Sequence, residues 1–204
     1  MTTREAGTPA RYHHGDLRNA LLEAGRALLE EGGPTALGIR EIARRVGVSA
    51  PAAYHHFSGL DDIAVALAER GFGELAARLQ AAPSNAKGQL APAGMAYVAF
   101  ARDNPGLYRL MFGEGFKGAF SAHDRIRALR SDAYEVLKTG LSRRLPTKEI
   151  GTAALFLWSL THGLALLMID GQFDPGADPE ALVAAVLRLS GKGLPTSAER
   201  TDPA

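Results

Sequence analysis

Residues 38–57, GIREIARRVGVSAPAAYHHF, constrain this chain more than any other stretch. Ile39, Ile42, Ala43 and Val46 recur at i, i+3, i+4 and i+7, the stripe that an amphipathic helix buries. Arg40 and Arg44 share a different, solvent-facing side. Gly47 suits the left-handed backbone that ends such a helix, and Ser49 suits the cap of the next one. Pro51 then falls in a first turn, where its missing N–H costs no helical hydrogen bond. Two short helices joined by a tight turn form a helix-turn-helix, whose second helix projects into the major groove of DNA.

Around this motif the chain reads as all-α. At 204 residues and 46% apolar composition it can bury a sizeable core, as one compact unit or two small domains. No convincing alternating strand pattern interrupts the helical periodicity. The net charge of +1 gives no global argument for nucleic acid, so any basic surface must be local. Residues 35–58 carry Arg40, Arg44 and Arg45 against Glu41 alone, a local net charge of +2, with His55 and His56 in reserve. There is no cysteine, which excludes disulfides, thiolate zinc sites and cysteine nucleophiles. The polar start, MTTREAGTPARYHH, lacks the apolar core of a secretory signal, so a cytoplasmic protein is expected. Gly151 to Ile169 contains no Asp, Glu, Lys or Arg and approaches the length that spans a bilayer. Thr152, Ser159, Thr161 and His162 interrupt it without a positive-inside flank, and a helix buried between a core and a partner subunit explains it better.

Along the chain, residues 1–12 read as a flexible arm. A first helix capped by Asp16 runs to Gly32 and Gly33, burying Leu17, Ala20, Leu21, Ala24 and Leu28. After the central motif, Ser58 and Asp61 resemble a capping box that opens a longer helix toward Leu79. APSNAKGQ, residues 82–89, reads as a linker that separates a domain at 13–80 from one at 85–191. The second half reads as a helix from 90 to 102 stopped by Asn104-Pro105-Gly106, a short helix LYRLMFGE, a Gly-rich loop at 113–118, a long helix from 123 to 145, the uncharged helix from 148 to 169, and a last helix PEALVAAVLRLSG, with a polar tail expected to be disordered.

These residues resemble the TetR family of transcriptional regulators. Asp16 to Gly33 matches the family's first helix, IREIARRVGVS its second helix and turn, and AYHHF the close of its recognition helix. Trp158, His162 and Gly163, in WSLTHG, are similar to a C-terminal subtype named for its W-H-G pattern. The resemblance implies an N-terminal three-helix helix-turn-helix domain, joined by a longer helix to a helical domain for ligand binding and dimerisation. It implies a homodimer reading a palindromic double-stranded operator, no enzymatic activity and no cofactor. It further implies a repressor that a small apolar ligand releases, and DNA contacts from Gly38, Ile39, Arg40, Arg44, Ser49, Ala50, Pro51, Ala52, Tyr54 and His55. Two departures matter. Ala50, Pro51, Ala52 and Ala53 are too short for bidentate hydrogen bonds to bases, which leaves methyl contacts, water bridges and DNA shape to carry specificity. Gly59 replaces a Lys that the family often places at the start of the fourth helix, so that phosphate goes unbound unless the helix N-terminus holds it.

Other motifs have plainer readings. Arg45 lies four residues after Glu41, which suits a surface ion pair. Tyr54 should point outward while Ala53 and Phe57 enter the small core. His55 and His56 are adjacent and so cannot chelate one metal together. Gly113-Glu-Gly-Phe-Lys-Gly118 matches G-x-G-x-x-G by letter, but a helix precedes it where the dinucleotide fold needs a strand. Ser159 and His162 lack an orienting acid for catalysis. Met95, Phe100, Met111, Phe112, Tyr134, Trp158 and His162, with Tyr97 and Met168, are the candidates for an apolar ligand pocket, although at helical spacing such side chains also serve as plain core. Leu182, Val183, Val186, Leu187 and Leu189 exceed what one buried stripe needs, an argument for a partner helix across a two-fold axis. The expected dimer interface is Leu160 and Leu164 with Leu182, Val186 and Leu189. The competing classes are a ligand-binding or enzymatic helical protein with a merely structural helix-turn-helix, and a membrane-attached sensor.

Overall fold

The computed structural model describes residues 14–83, 91–143, 145–174, 176 and 178–193. Among the described residues there is no strand, and every regular element is a helix. Helix α1 (His14–Gly32), α2 (Ile39–Val46) and α3 (Ala50–Tyr54) form the N-terminal unit, and α4 (Leu60–Ala81) leads out of it. Then come α5 (Ala91–Asp103), α6 (Pro105–Phe112), α7 (Lys117–Ser121), α8 (Asp124–Ser142), α9 (Thr147–Ile169) and α10 (Pro179–Gly193).

The expected boundaries hold closely, with three corrections. Asp16 lies inside α1, which starts at His14. The capping acid of α4 is Asp62, not Asp61: its Oδ2 accepts from the Ser58 backbone N–H at 2.8 Å and the Ser58 hydroxyl at 2.5 Å. These two bonds hold the Asp62 carboxyl below its ordinary pKa. The Gly-rich stretch also gives way earlier than expected, because Lys117 opens α7, which buries Phe120. The N-terminal arm, most of the linker and the polar tail lie outside the described residues.

One hydrophobic core runs through both halves. Leu21, Leu22, Leu29, Ile42, Ala53, Phe57, Ile63 and Leu67 fill the N-terminal part. Phe72 and Leu75 of α4 carry the same cluster to Phe100, Leu107, Tyr108, Met111 and Ile126. Helix α4 is therefore buried along its middle, from Ile63 to Leu75, against both halves and cannot swing as a free tether.

The tightest helix crossing is α1 on α6. A Cβ built on Gly106 would lie 1.9 Å from the Leu29 carbonyl oxygen and 2.8 Å from the Glu30 backbone nitrogen, so only glycine fits. Glu30 then caps α6 from the neighbouring helix, its carboxylate accepting from the N–H groups of Gly106 at 2.8 Å and Leu107 at 3.1 Å. Arg26 completes the joint by donating to buried Asn104 at 2.6 Å and to Glu74 of α4 at 3.1 and 3.2 Å. The Asn-Pro-Gly sequence thus stops α5 and also seats the C-terminal half on α1.

Gly106→Ala should lower stability by roughly 3 kcal/mol, the upper part of the usual overpacking range, because backbone must move to admit the methyl. Gly118→Ala, whose Cβ would meet nothing within 4 Å, is the control and should be neutral or slightly stabilising. Urea unfolding of the two variants measures the difference.

Candidate nucleic-acid interface and ligand pocket

The turn between α2 and α3 is built as its residues dictate. Gly47 adopts φ 79°, ψ 27°, and its N–H and that of Val48 return to carbonyls of the last turn of α2. Ser49 then accepts the Ala52 N–H on its hydroxyl at 3.3 Å, with Pro51 in the first turn. Ala53 and Phe57 face the core, and Arg18 of α1 lies over the Phe57 ring at 4.9 Å. This inward packing turns the opposite side of α3 to solvent: Ser49, Pro51, Tyr54 and His55 are exposed, Ala50 and Ala52 half-buried, and Tyr54 retains 50% of its surface.

Helix α2 divides its expected contacts. Arg40 is exposed and has no ion-pair partner among the described residues. Gly38 caps the helix in extended backbone. Ile39 needs correction: it is 8% exposed and packed in the core, so its side chain is not on the outward face. Arg44 is exposed but forked on Glu41, with Nε and Nη2 each 2.7 Å from a carboxylate oxygen. Arg45 forks mainly on Glu31 at 2.6 Å and reaches Glu41 at 3.2 Å. Arg44, then Arg45, hold the Glu41 carboxyl near pKa 2. So the expected Arg45–Glu41 pair exists, yet Arg44 is the closer partner. At the start of α4 the helix N-terminus is no substitute for the absent Lys, since Asp61 and ionised Asp62 occupy its first turn.

The expected pocket residues separate into three places. Phe100 and Met111 are buried in the main core. Phe112, Tyr134, Trp158 and His162 instead pack edge-to-face or tilted in one row, with Phe112 4.9 Å from the His162 ring and Tyr134 5.8 Å from Trp158. Inside this cluster the Tyr108 hydroxyl lies 2.6 Å from Nδ1 of His162 and 3.1 Å from the Tyr97 hydroxyl. Burial lowers the His162 pKa, keeping the ring neutral, and raises Tyr97 to about 12 and Tyr108 further still. Tyr97 and Tyr108 sit on separate helices, so spacing alone does not reveal this polar core of the cluster. Of the expected set, Met95 and Met168 line the cavity of about 240 Å³ that opens between α5, α9 and α10, beside Val98 and Val183.

Helix α9 has two apolar faces. Ala153, Ala154, Leu157, Leu164 and Ala165 turn inward, whereas Leu155, Phe156, Leu166 and Leu167 keep 54, 48, 37 and 45% of their surface. On α10, Val183 and Leu187 are buried, while Leu182 and Leu189 are exposed at 41 and 67%. Leu164, expected at a dimer interface, packs in its own protomer against Val98, Val183 and Leu187. Leu160 and Val186 border the same cluster, partly buried.

Residues 21–67 match the family described as bacterial regulatory proteins, tetR family, and residues 90–189 match the tetracyclin repressor-like C-terminal domain. The chain is 30% identical to a protein of unknown function from Rhodococcus sp. RHA1, whose structure superposes with a TM-score of 0.77 over 91% of this chain and 98% of that one. It is 28% identical to Rv0681 of Mycobacterium tuberculosis, an uncharacterized HTH-type transcriptional regulator, over 85% of this chain and 79% of the relative. YobS of Bacillus subtilis, likewise an uncharacterized HTH-type transcriptional regulator, is 26% identical over 78% of this chain and 82% of its own length.

Glu41→Gln removes the carboxylate that occupies Arg44. The variant should bind duplex DNA more tightly, and its log affinity against log salt should steepen by about one counterion. Fluorescence anisotropy across a salt series reads both.

Proposed function

The chain belongs to the tetR family of DNA-binding, non-enzymatic transcriptional regulators, and from that premise we propose a homodimeric repressor that leaves its operator when a small apolar ligand binds the C-terminal half. The outward face of α3 carries this reading: a capped, inward-anchored helix presents short side chains and Tyr54 to solvent, and Arg40 in the first turn of α2 is exposed with no ion-pair partner among the described residues. Arg40 and Tyr54 neutralise or hydrogen-bond phosphates and so fix the register on the duplex. Ala50, Pro51 and Ala52 pack on thymine methyls and read groove shape, with Ser49 and His55 at the ends and Arg44 joining once Glu41 yields it. The division of labour is residues 13–80 for DNA and 85–191 for ligand and partner.

Two copies associate through α9 and α10. Leu155, Phe156, Leu166, Leu167, Leu182 and Leu189 form an exposed apolar face larger than a monomer keeps without a use. Glycine and serine at 163 and 159 let a facing helix approach closely. The symmetric four-helix contact sets the two recognition helices about 34 Å apart, one turn of DNA. Helix α9 is the one described helix long and apolar enough to cross a membrane. Its inner face is spent on Val98, Val183 and Leu187 and its outer face on the partner, so we place the protein with its DNA in the cytoplasm.

Replacing both Arg40 and Tyr54 by Ala should weaken operator binding about tenfold for each of the two phosphate interactions removed, while circular dichroism stays unchanged. Unchanged affinity in a gel shift would remove these residues from the interface. Phe156→Asp should yield a monomer by light scattering, which then loses affinity for a palindrome far more than for a half-site. A dimeric variant would place the interface elsewhere.

A further inference from the structure

We propose that the cavity between α5, α9 and α10 takes a small amphipathic carboxylate, with its apolar chain against Met95, Val98, Met168 and Val183 and its carboxylate on Arg102 in place of Glu180. The cavity holds about 240 Å³. An apolar cavity of about 150 Å³ accommodates benzene, so this one suits a ligand of about ten heavy atoms. Its deep wall is aliphatic and thioether, which excludes a wholly polar occupant.

The rim supplies the charge selection. Arg102 donates to Asp103 from Nε at 3.0 Å and Nη2 at 2.9 Å, and to Glu180 from Nη1. Asp103 is itself held by Arg78 of α4 at 2.9 Å. The guanidinium is thus fixed from one side by a carboxylate that two arginines share. Glu180, on the exposed first turn of α10, holds it from the other side as a surface ion pair of little worth. The fixed group is the receptor and the loosely held group is the gate. A ligand carboxylate that replaces Glu180 keeps Arg102 paired and fits its planar fork. A cation would have to pull Arg102 off two partners.

The exchange also breaks a connection. Glu180, Arg102, Asp103 and Arg78 form an unbroken ionic chain from α10 through α5 to α4. Filling the cavity with a carboxylate cuts that chain at Glu180 and loosens the coupling of α10 to α4, while Val183 and Leu187 keep α10 packed on Val98 of α5. This last step rests on the ligand-release reading above; the site itself does not.

Isothermal titration calorimetry of the full chain with octanoate, octan-1-ol and octylamine tests the site without DNA. Octanoate should bind tightest. Arg102→Gln should weaken octanoate at least about tenfold and leave octan-1-ol unchanged, and Ala99→Phe should abolish both by filling the space. Glu180→Gln, which removes the competing carboxylate from an exposed position, should tighten octanoate several-fold. Absence of octanoate binding to both the natural and Glu180→Gln proteins overturns the proposal, as does octanoate binding that Arg102→Gln leaves untouched, or a preference for octylamine. Octanoate that binds through Arg102 yet leaves DNA affinity unchanged supports the site and overturns only the release reading.

Discussion

The crossing of α1 over α6 at Gly106 is the constraint on which the rest of the structure depends. A side chain there would strike the Leu29 carbonyl, and Glu30 could not then reach the two N–H groups that begin α6. Those N–H groups are buried donors that would otherwise go unmet, so the joint satisfies a helix end and fixes two domains with the same two bonds. Because α4 runs through the core of both halves, the recognition helix has a defined position relative to α9 and α10. A regulator that reads spacing across a dimer needs that stiffness. A floppy joint would average away any change made far from the DNA.

Stiffness also gives the ionic connections a role beyond surface solubility. Arg26 ties α1 to α4 through Glu74 and to the α5–α6 turn through Asn104, while Arg78 and Arg102 share Asp103 between α4 and α5. Each exposed pair contributes little alone. Their arrangement matters more, because they tie α1 and α4 to α5 and to the turn that begins α6. The neutral Tyr97–Tyr108–His162 cluster supplies the complementary element, a satisfied polar network that orients the aromatic stack on one side of the C-terminal half.

Much of this is legible in the sequence, and the exceptions have physical causes. The α2–turn–α3 geometry follows from one glycine, one serine and a four-residue apolar stripe, and the structure reproduces each of them. Helix α9 is legible as a helix but not by face. With no charge from Gly151 to Ile169 there is no polar side to orient it, so the pattern cannot tell inward Leu164 from outward Leu155 and Phe156. Ile39 falls within the DNA-binding motif, although its own periodicity assigns it to the core. Helix α7 is hidden among glycines because it is short and stabilised by Phe120 packing, not by propensity. Tertiary contacts such as Glu30 with Gly106, or Arg102 with Glu180, join residues more than seventy positions apart, and no local pattern announces them.

Rigid support of the recognition helices by the α1–α6 joint can be measured directly. The chain has no native cysteine, so a single Asp61→Cys substitution labels each protomer once, close to the recognition helix. Pulsed electron–electron resonance between the two spin labels of the dimer measures the spread of their separation. A rigid joint predicts one narrow distribution that broadens when Glu30 is replaced by Ala. A distribution already broad in the natural sequence, or one whose width Glu30→Ala leaves unchanged, would contradict it.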